Sequence, residues 1–222
     1  MGNLLMLNQL RESGALGIIR VQGARDLLQI AKALQSGGLN CIEITMTTPG
    51  ALRGIEETVS KMPEILMGAG TVLDATSARQ AILAGAKFLV TPTVELDVIE
   101  MARCYGVGII AGAMTPTEIL AAWRAGADMV KVFPANVLGP GYLRAIHGPL
   151  PQISLVPTGG VTAETAGEFI SAGAEVVCAG GWLVDKEAIA EGRYELLATR
   201  ARALLNAVDE ARVGLAKGES AE

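Results

Sequence analysis

Short apolar runs rich in β-branched residues recur along the chain, each followed by a segment with helical spacing. The runs are GIIRV (17–21), CIEIT (41–45), ILMGAG (65–70), FLVTP (88–92), GIIAG (108–112), MVKVF (129–133), SLVPT (154–158) and VVCAG (176–180). They recur at roughly two dozen residues, the size of one β-loop-α-loop unit. Apolar character without polar alternation predicts strands buried on both faces, as in a parallel sheet. The intervening segments, among them ARDLLQIAKALQSG, DATSARQAILAG, LDVIEMARCYG, TPTEILAAWRAG and TAETAGEFISAG, carry helical periodicity. Several open on Asp or Thr and close on Gly, the residues that cap helix ends.

An internal repeat sharpens the picture. SGGLNCIEI, LAGAKFLVT, RAGADMVKV and SAGAEVVCA share one grammar of helix end, glycine turn and buried strand, anchored on Gly38, Gly85, Gly126 and Gly173. The copies fall on the second, fourth, sixth and eighth strands. Eight such units close most economically into a (β/α)8 TIM barrel. An open doubly wound sheet is the alternative, but GIIRVQGARD lacks the GxGxxG-type turn expected after its first strand. A single barrel domain over 1–222 is expected. Residues 1–13 form an extra N-terminal helix capping the bottom, 14–205 the barrel, and 206–222 a helix end with a frayed tail.

Composition narrows the function. Half of the 222 residues are hydrophobic, which excludes disorder over most of the length. With 18 Lys and Arg against 23 Asp and Glu and no basic run, nucleic acid is not an expected partner. The apolar stretches are too short and broken for a membrane span. MGNLLMLNQLRESG has neither the basic start nor the apolar core of a secretory leader, so a cytoplasmic protein is expected. Cys41, Cys104 and Cys178 show no CxxC spacing, and two of them read as small buried hydrophobes. With His147 the one histidine, a His-based zinc site or Ser-His-Asp triad lacks its parts. Carboxylates alone can hold magnesium, but nothing in the sequence supports a metal site, and none is expected.

In such a barrel the reactive groups lie at the C-terminal ends of the strands. Two residues there are anomalous. Glu43 and Lys131 are charged, yet each sits among apolar neighbours on a strand predicted to be buried, a costly place for a charge without a partner. Five residues past the anchoring glycines come Glu43, Val90, Lys131 and Cys178. Side chains of one layer come from alternate strands, so this register puts Glu43 and Lys131 in one layer. The pair reads either as a buried ion pair balancing charge or as catalytic machinery. In the second reading an uncharged Lys131 attacks a ketone to form a Schiff base, and Glu43 relays protons through a water. The other lysines, 32, 61, 87, 186 and 217, read as solvated.

Gly159-Gly160 and Gly180-Gly181 follow the seventh and eighth strands, where barrels often bind phosphate on backbone amides near a helix start, here near Thr162. Turns need glycine in any case. Arg20 closes the first strand, either to grip a carboxylate or as a barrel-end ion-pair partner. Thr71 and the Thr91-Pro92-Thr93 segment offer hydroxyls and wall, or ordinary loop structure. Phe133 faces the same side as Lys131, as core or as pocket wall.

IEIT, GAGTVL, TPTEI, VKVFPA and PTGGVT, in this order, make the chain resemble the 2-keto-3-deoxy-6-phosphogluconate (KDPG) / 4-hydroxy-2-oxoglutarate (KHG) aldolases, from about Gly14 to Leu183. The resemblance implies a class I aldolase cleaving a 2-keto-4-hydroxy acid. KDPG would give pyruvate and glyceraldehyde 3-phosphate; 4-hydroxy-2-oxoglutarate would give pyruvate and glyoxylate. Lys131 matches the Schiff-base lysine and Glu43 the acid/base glutamate. Arg20, Thr71, Pro92 and Phe133 match the substrate pocket, and Gly159, Gly160, Gly180 and Gly181 the phosphate end. A homotrimer without metal or organic cofactor is implied. The chain departs from the pattern at Thr47, an arginine in some members, at Gly181, a serine in many, and at Ala111, a frequent proline. A 2-keto-3-deoxy-6-phosphogalactonate aldolase, a phosphosugar epimerase or isomerase, and a non-catalytic binding module are the alternatives.

Overall fold

The computed structural model describes residues 2–219. Helix α1 (Gly2–Ser13) precedes eight strands: β1 (Ala15–Ile19), β2 (Cys41–Thr45), β3 (Leu66–Gly70), β4 (Phe88–Val90), β5 (Gly108–Ala113), β6 (Met129–Val132), β7 (Leu155–Pro157) and β8 (Val177–Ala179). Helices α2 (Leu27–Ser36), α3 (Ala51–Lys61), α4 (Ala75–Leu83), α5 (Leu96–Tyr105), α6 (Pro116–Ala125), α7 (Ala135–His147) and α8 (Ala163–Ser171) alternate with them. The chain ends in α9 (Lys186–Ala190) and α10 (Tyr194–Glu219).

Each strand pairs in parallel with the next, β1 also pairs with β8, and a parallel bridge between Thr158 and Cys178 joins β7 to β8. The eight-stranded barrel is therefore closed. Several strands stop short of the expected runs: β1 ends at Ile19 and β4 at Val90, which leaves Arg20 and Pro92 on the loops beyond them. Phe133, Thr158 and Gly180 likewise follow the ends of β6, β7 and β8. Proline has no N–H to extend a ladder, which accounts for the end of β4 ahead of Pro92. The tail beyond Glu219 lies outside the described residues.

Two apolar cores result from the alternation of side chains along each strand. One lies between the barrel and its helices. The other fills the barrel, with Leu16, Ile18, Cys41, Phe88, Val90, Ile110, Met129, Val156 and Cys178 facing inward and Met6 and Leu10 of α1 closing the bottom. A Cβ at Gly108 would fall 1.8 Å from the Met6 methyl, so α1 seats as a plug. A Cβ at Gly68 would fall 2.3 Å from the Phe88 ring. Glycine on one strand thus admits the large side chain of the next, the alternation of small and large that fills a barrel interior without voids.

Candidate active site

The repeat count leads to four inward positions, and the register keeps them together. Glu43 pairs across to Ile18 and Gly68, Val90 to Gly70 and Ile110, Lys131 to Gly112 and Val156, and Cys178 bridges to Thr158. Glu43 is 1% exposed and Lys131 5%. Burial pushes the Cys178 thiol up to about 12, with the Glu43 charge adding to that and Lys131 opposing it. All three groups therefore share one electrostatic neighbourhood inside the barrel. Cys41 is also buried, its thiol pushed up to about 11, so neither thiol is a nucleophile at neutral pH.

Glu43 and Lys131 do not form an ion pair: none of the four N–O contacts within 4.0 Å among the described residues includes them. Burial raises the Glu43 carboxyl above its ordinary range, opposed by the charges of Lys131 and Arg20. Its Oε2 is buried with no hydrogen-bond partner among the described residues, a cost that a merely structural pair would avoid. The carboxyl lies over Gly70, where a Cβ would come within 2.3 Å of Oε1. Lys131 has its Nζ 5.2 Å from the centre of the Phe133 ring. Phe133 is 38% exposed and belongs to the pocket wall rather than the core.

Above these groups opens a cavity of about 430 Å³ at the C-terminal ends of the strands. Nine of the ten residues expected at the site line it: Lys131, Arg20, Thr71, Pro92, Phe133, Gly159, Gly160, Gly180 and Gly181. Glu43 is absent from its surface and lies beneath. A larger hollow of about 580 Å³ opens on the outer helices around Gly167 and Ala211, and no inward-facing barrel residue lines it.

Arg20 Nη2 donates to Thr71 Oγ1 at 3.2 Å, so the guanidinium leans across β2 toward β3. Thr71 has φ 56, a left-handed conformation rare for a β-branched residue. Thr91 is engaged by β5 and by its own loop, accepting from the Gly112 N–H at 3.0 Å and donating to the Thr93 carbonyl at 2.6 Å. Pro92 alone of that triplet reaches the cavity, its carbonyl carbon 2.2 Å from where a Gly112 Cβ would be. Thr47 donates to Thr45 at 3.2 Å, and Thr45 shares a 3.1 Å contact with Thr48, which accepts from the Val21 N–H at 3.4 Å. This hydroxyl chain braces the loop that carries Arg20.

Gly159 and Gly160 have φ 101 and 69, and Gly181 has open space where a side chain would be. Helix α8 starts after Thr162 as expected, but the cavity wall at this end is made by the glycines and Lys186. Lys186 is exposed, as expected, and also stands at the edge of the cavity, where Thr158, Ile18 and Val184 join it. Their signals were faint. Thr158 reads as a strand end, and Lys186 follows an Asp that reads as a helix cap. Among the described residues no three His, Cys, Asp or Glu side chains converge as metal ligands, and no helix is long and apolar enough to cross a membrane.

The family model described as KDPG and KHG aldolase matches residues 6–199. A 2-dehydro-3-deoxy-phosphogluconate aldolase of Pseudomonas aeruginosa is 35% identical over 91% of this chain and 92% of its own. A solved native KDPGal structure superposes with a TM-score of 0.82 at 30% identity, over 89% of this chain and 95% of that one. The KDPG aldolase of Legionella pneumophila, with pyruvate captured at low pH as a covalent carbinolamine intermediate, gives a TM-score of 0.82 at 28% identity. That match covers 88% of this chain and 95% of the other.

Proposed function

The chain belongs to the KDPG and KHG aldolase family, and on that premise we propose that Lys131 and Glu43 carry a Schiff-base cleavage of a 2-keto-4-hydroxy acid, foremost KDPG. The observation that carries this reading is the buried amine at the cavity floor with a buried carboxyl, outside any ion pair, in the same layer.

Lys131 Nζ adds to the C2 ketone, and loss of water from the carbinolamine leaves an iminium. That cation draws the electrons of the C3–C4 bond as the C4 hydroxyl loses its proton and the aldehyde departs. The resulting enamine takes a proton at C3, and water then releases pyruvate and frees the amine. Glu43, whose burial favours the protonated form, exchanges these protons through a water in the cavity. Arg20 and Thr71 take the substrate carboxylate, Pro92 and Phe133 wall the chain, and Gly159, Gly160, Gly180 and Gly181 take a terminal phosphate. With KDPG the products are pyruvate and glyceraldehyde 3-phosphate; 4-hydroxy-2-oxoglutarate gives pyruvate and glyoxylate. The residues need neither a metal nor an organic cofactor for these steps.

The working form is a homotrimer in the cytoplasm. Leu73, Leu96, Met114 and Val137 are 39–68% exposed beyond β3, β4, β5 and β6, an apolar stretch along one half of the barrel rim suited to a second copy. The three free cysteines suit a reducing compartment.

Pyruvate release across a panel of 2-keto-4-hydroxy acids, with and without terminal phosphate, tests the reading. Cleavage of KDPG is the expected result. Preference for 2-keto-3-deoxy-6-phosphogalactonate would reassign the substrate, and inversion without pyruvate would replace aldol chemistry by epimerisation.

A further inference from the structure

One basic side chain of the cavity has no task in this mechanism. Lys186 opens α9 and lines the cavity together with Gly180 and Gly181. It makes no hydrogen bond or ion pair with any described residue, and its neighbours account for that freedom. Asp185 accepts from the N–H groups of Glu187 and Ala188 at 3.0 and 2.9 Å and pairs with Arg200 at 3.0 Å. Its charge is already matched. Arg200 also donates to the Trp182 carbonyl, and Val184 N–H donates to the Gly180 carbonyl at 2.8 Å. Leu183 and Val184 are buried. The segment leading to Lys186 is therefore pinned, and the amine projects from a fixed base.

The charges around the cavity define what that amine meets. Arg20, Lys131 and Lys186 line it, and no acidic side chain among the described residues does. Lys131 is consumed in the covalent step, which leaves two cations for recognition. Arg20 turns toward Thr71 on the β3 side, while Lys186 stands on the β8 side with the paired glycines. Two cations at separate ends fit a substrate with two anionic ends. The geometry points to Lys186 as the specificity-determining residue for a terminal phosphate, with the 2-keto acid carboxylate at Arg20. A compact ammonium acts as a point charge toward phosphate. A phosphate monoester carries about −1.5 to −2 at pH 7, so its gain exceeds that of a hydroxyl at the same place. This inference rests on the aldolase reading for the cavity floor and adds one specificity-determining side chain at its rim.

Steady-state kinetics of Lys186→Gln and Lys186→Arg, on KDPG and on its unphosphorylated counterpart, test it. In Lys186→Gln the ratio of kcat/KM for the phosphorylated over the unphosphorylated acid falls about tenfold or more, mainly through KM. Lys186→Arg recovers most of the ratio. An unchanged ratio in Lys186→Gln, or a wild type that prefers the unphosphorylated acid, overturns the assignment. Calorimetric titration with inorganic phosphate separates this failure from that of the aldolase reading. If the wild type cleaves neither acid, the aldolase reading falls and Lys186 is judged on phosphate binding, expected to be about fivefold or more weaker in Lys186→Gln. Equal affinities, or no binding by the wild type, overturn the assignment.

Discussion

The carboxyl of Glu43 occupies the space that a side chain at Gly70 would fill: a Cβ there would lie 2.3 Å from Oε1. Glycine at this point of β3 is what lets a carboxyl settle inside the barrel. Gly70→Ala is expected to displace Glu43, to cost about 1–3 kcal/mol by overcrowding, and to lower kcat about 100-fold through the misplaced acid. Gly68→Ala, which meets the Phe88 ring at the same 2.3 Å, is the control for crowding alone. Denaturant melts and kcat of the two variants check this: an equal loss of kcat in both would deny Gly70 its positioning role.

Glu43 also sets a pH dependence. Its carboxyl is raised above the ordinary carboxylate range by burial, with Lys131 and Arg20 opposing. Between the unfolded and the raised folded pKa the unfolded chain has lost a proton that the folded chain keeps. Stability therefore declines as pH climbs through that window, and the penalty is complete above it. Glu43→Gln removes this titration. The Tm of Glu43→Gln minus that of the wild type should grow as pH rises from about 4.5, the region of a free carboxyl. A difference that stays flat with pH would contradict the buried acid. The same variant should lose about 10²- to 10⁴-fold in kcat.

Thr71 holds a left-handed backbone, φ 56, while its hydroxyl receives the Arg20 guanidinium. Such a conformation costs about 1–3 kcal/mol in a non-glycine residue. Thr71→Gly should match or exceed the wild type in denaturant midpoint and raise KM for the keto acid. A clear loss of stability would show that the loop is not strained there.

The apolar rim bears on assembly. Light scattering should give a mass of three chains for the wild type, and Val137→Glu, at a residue 68% exposed, should shift it to one. A monomeric wild type would remove the role given to that rim.

Much of this was legible in the sequence because a repeat fixes phase. The four glycine anchors set the even strands in register, and the same count that reached Val90 and Cys178 placed Glu43 and Lys131 in one layer. Strand ends were less legible. Arg20 and Pro92 fall within the runs read as strands, yet pairing stops before them. Lys186 reads in the sequence only as a solvated lysine, because its place at the cavity depends on tertiary ties, Arg200 to Asp185 and Trp182, that no local pattern encodes. Gly70 escaped for a related reason. ILMGAG reads as a buried strand, and only the packed carboxyl of a neighbouring strand shows why the side chain at its last position must be absent.

The account stands on Lys131 as the nucleophile, and the most direct measurement is borohydride reduction in the presence of pyruvate followed by peptide mass analysis. A pyruvyl-derived mass on the peptide that carries Lys131, absent in Lys131→Ala together with cleavage activity, is the predicted result. An unmodified Lys131, or cleavage that survives Lys131→Ala, would contradict it.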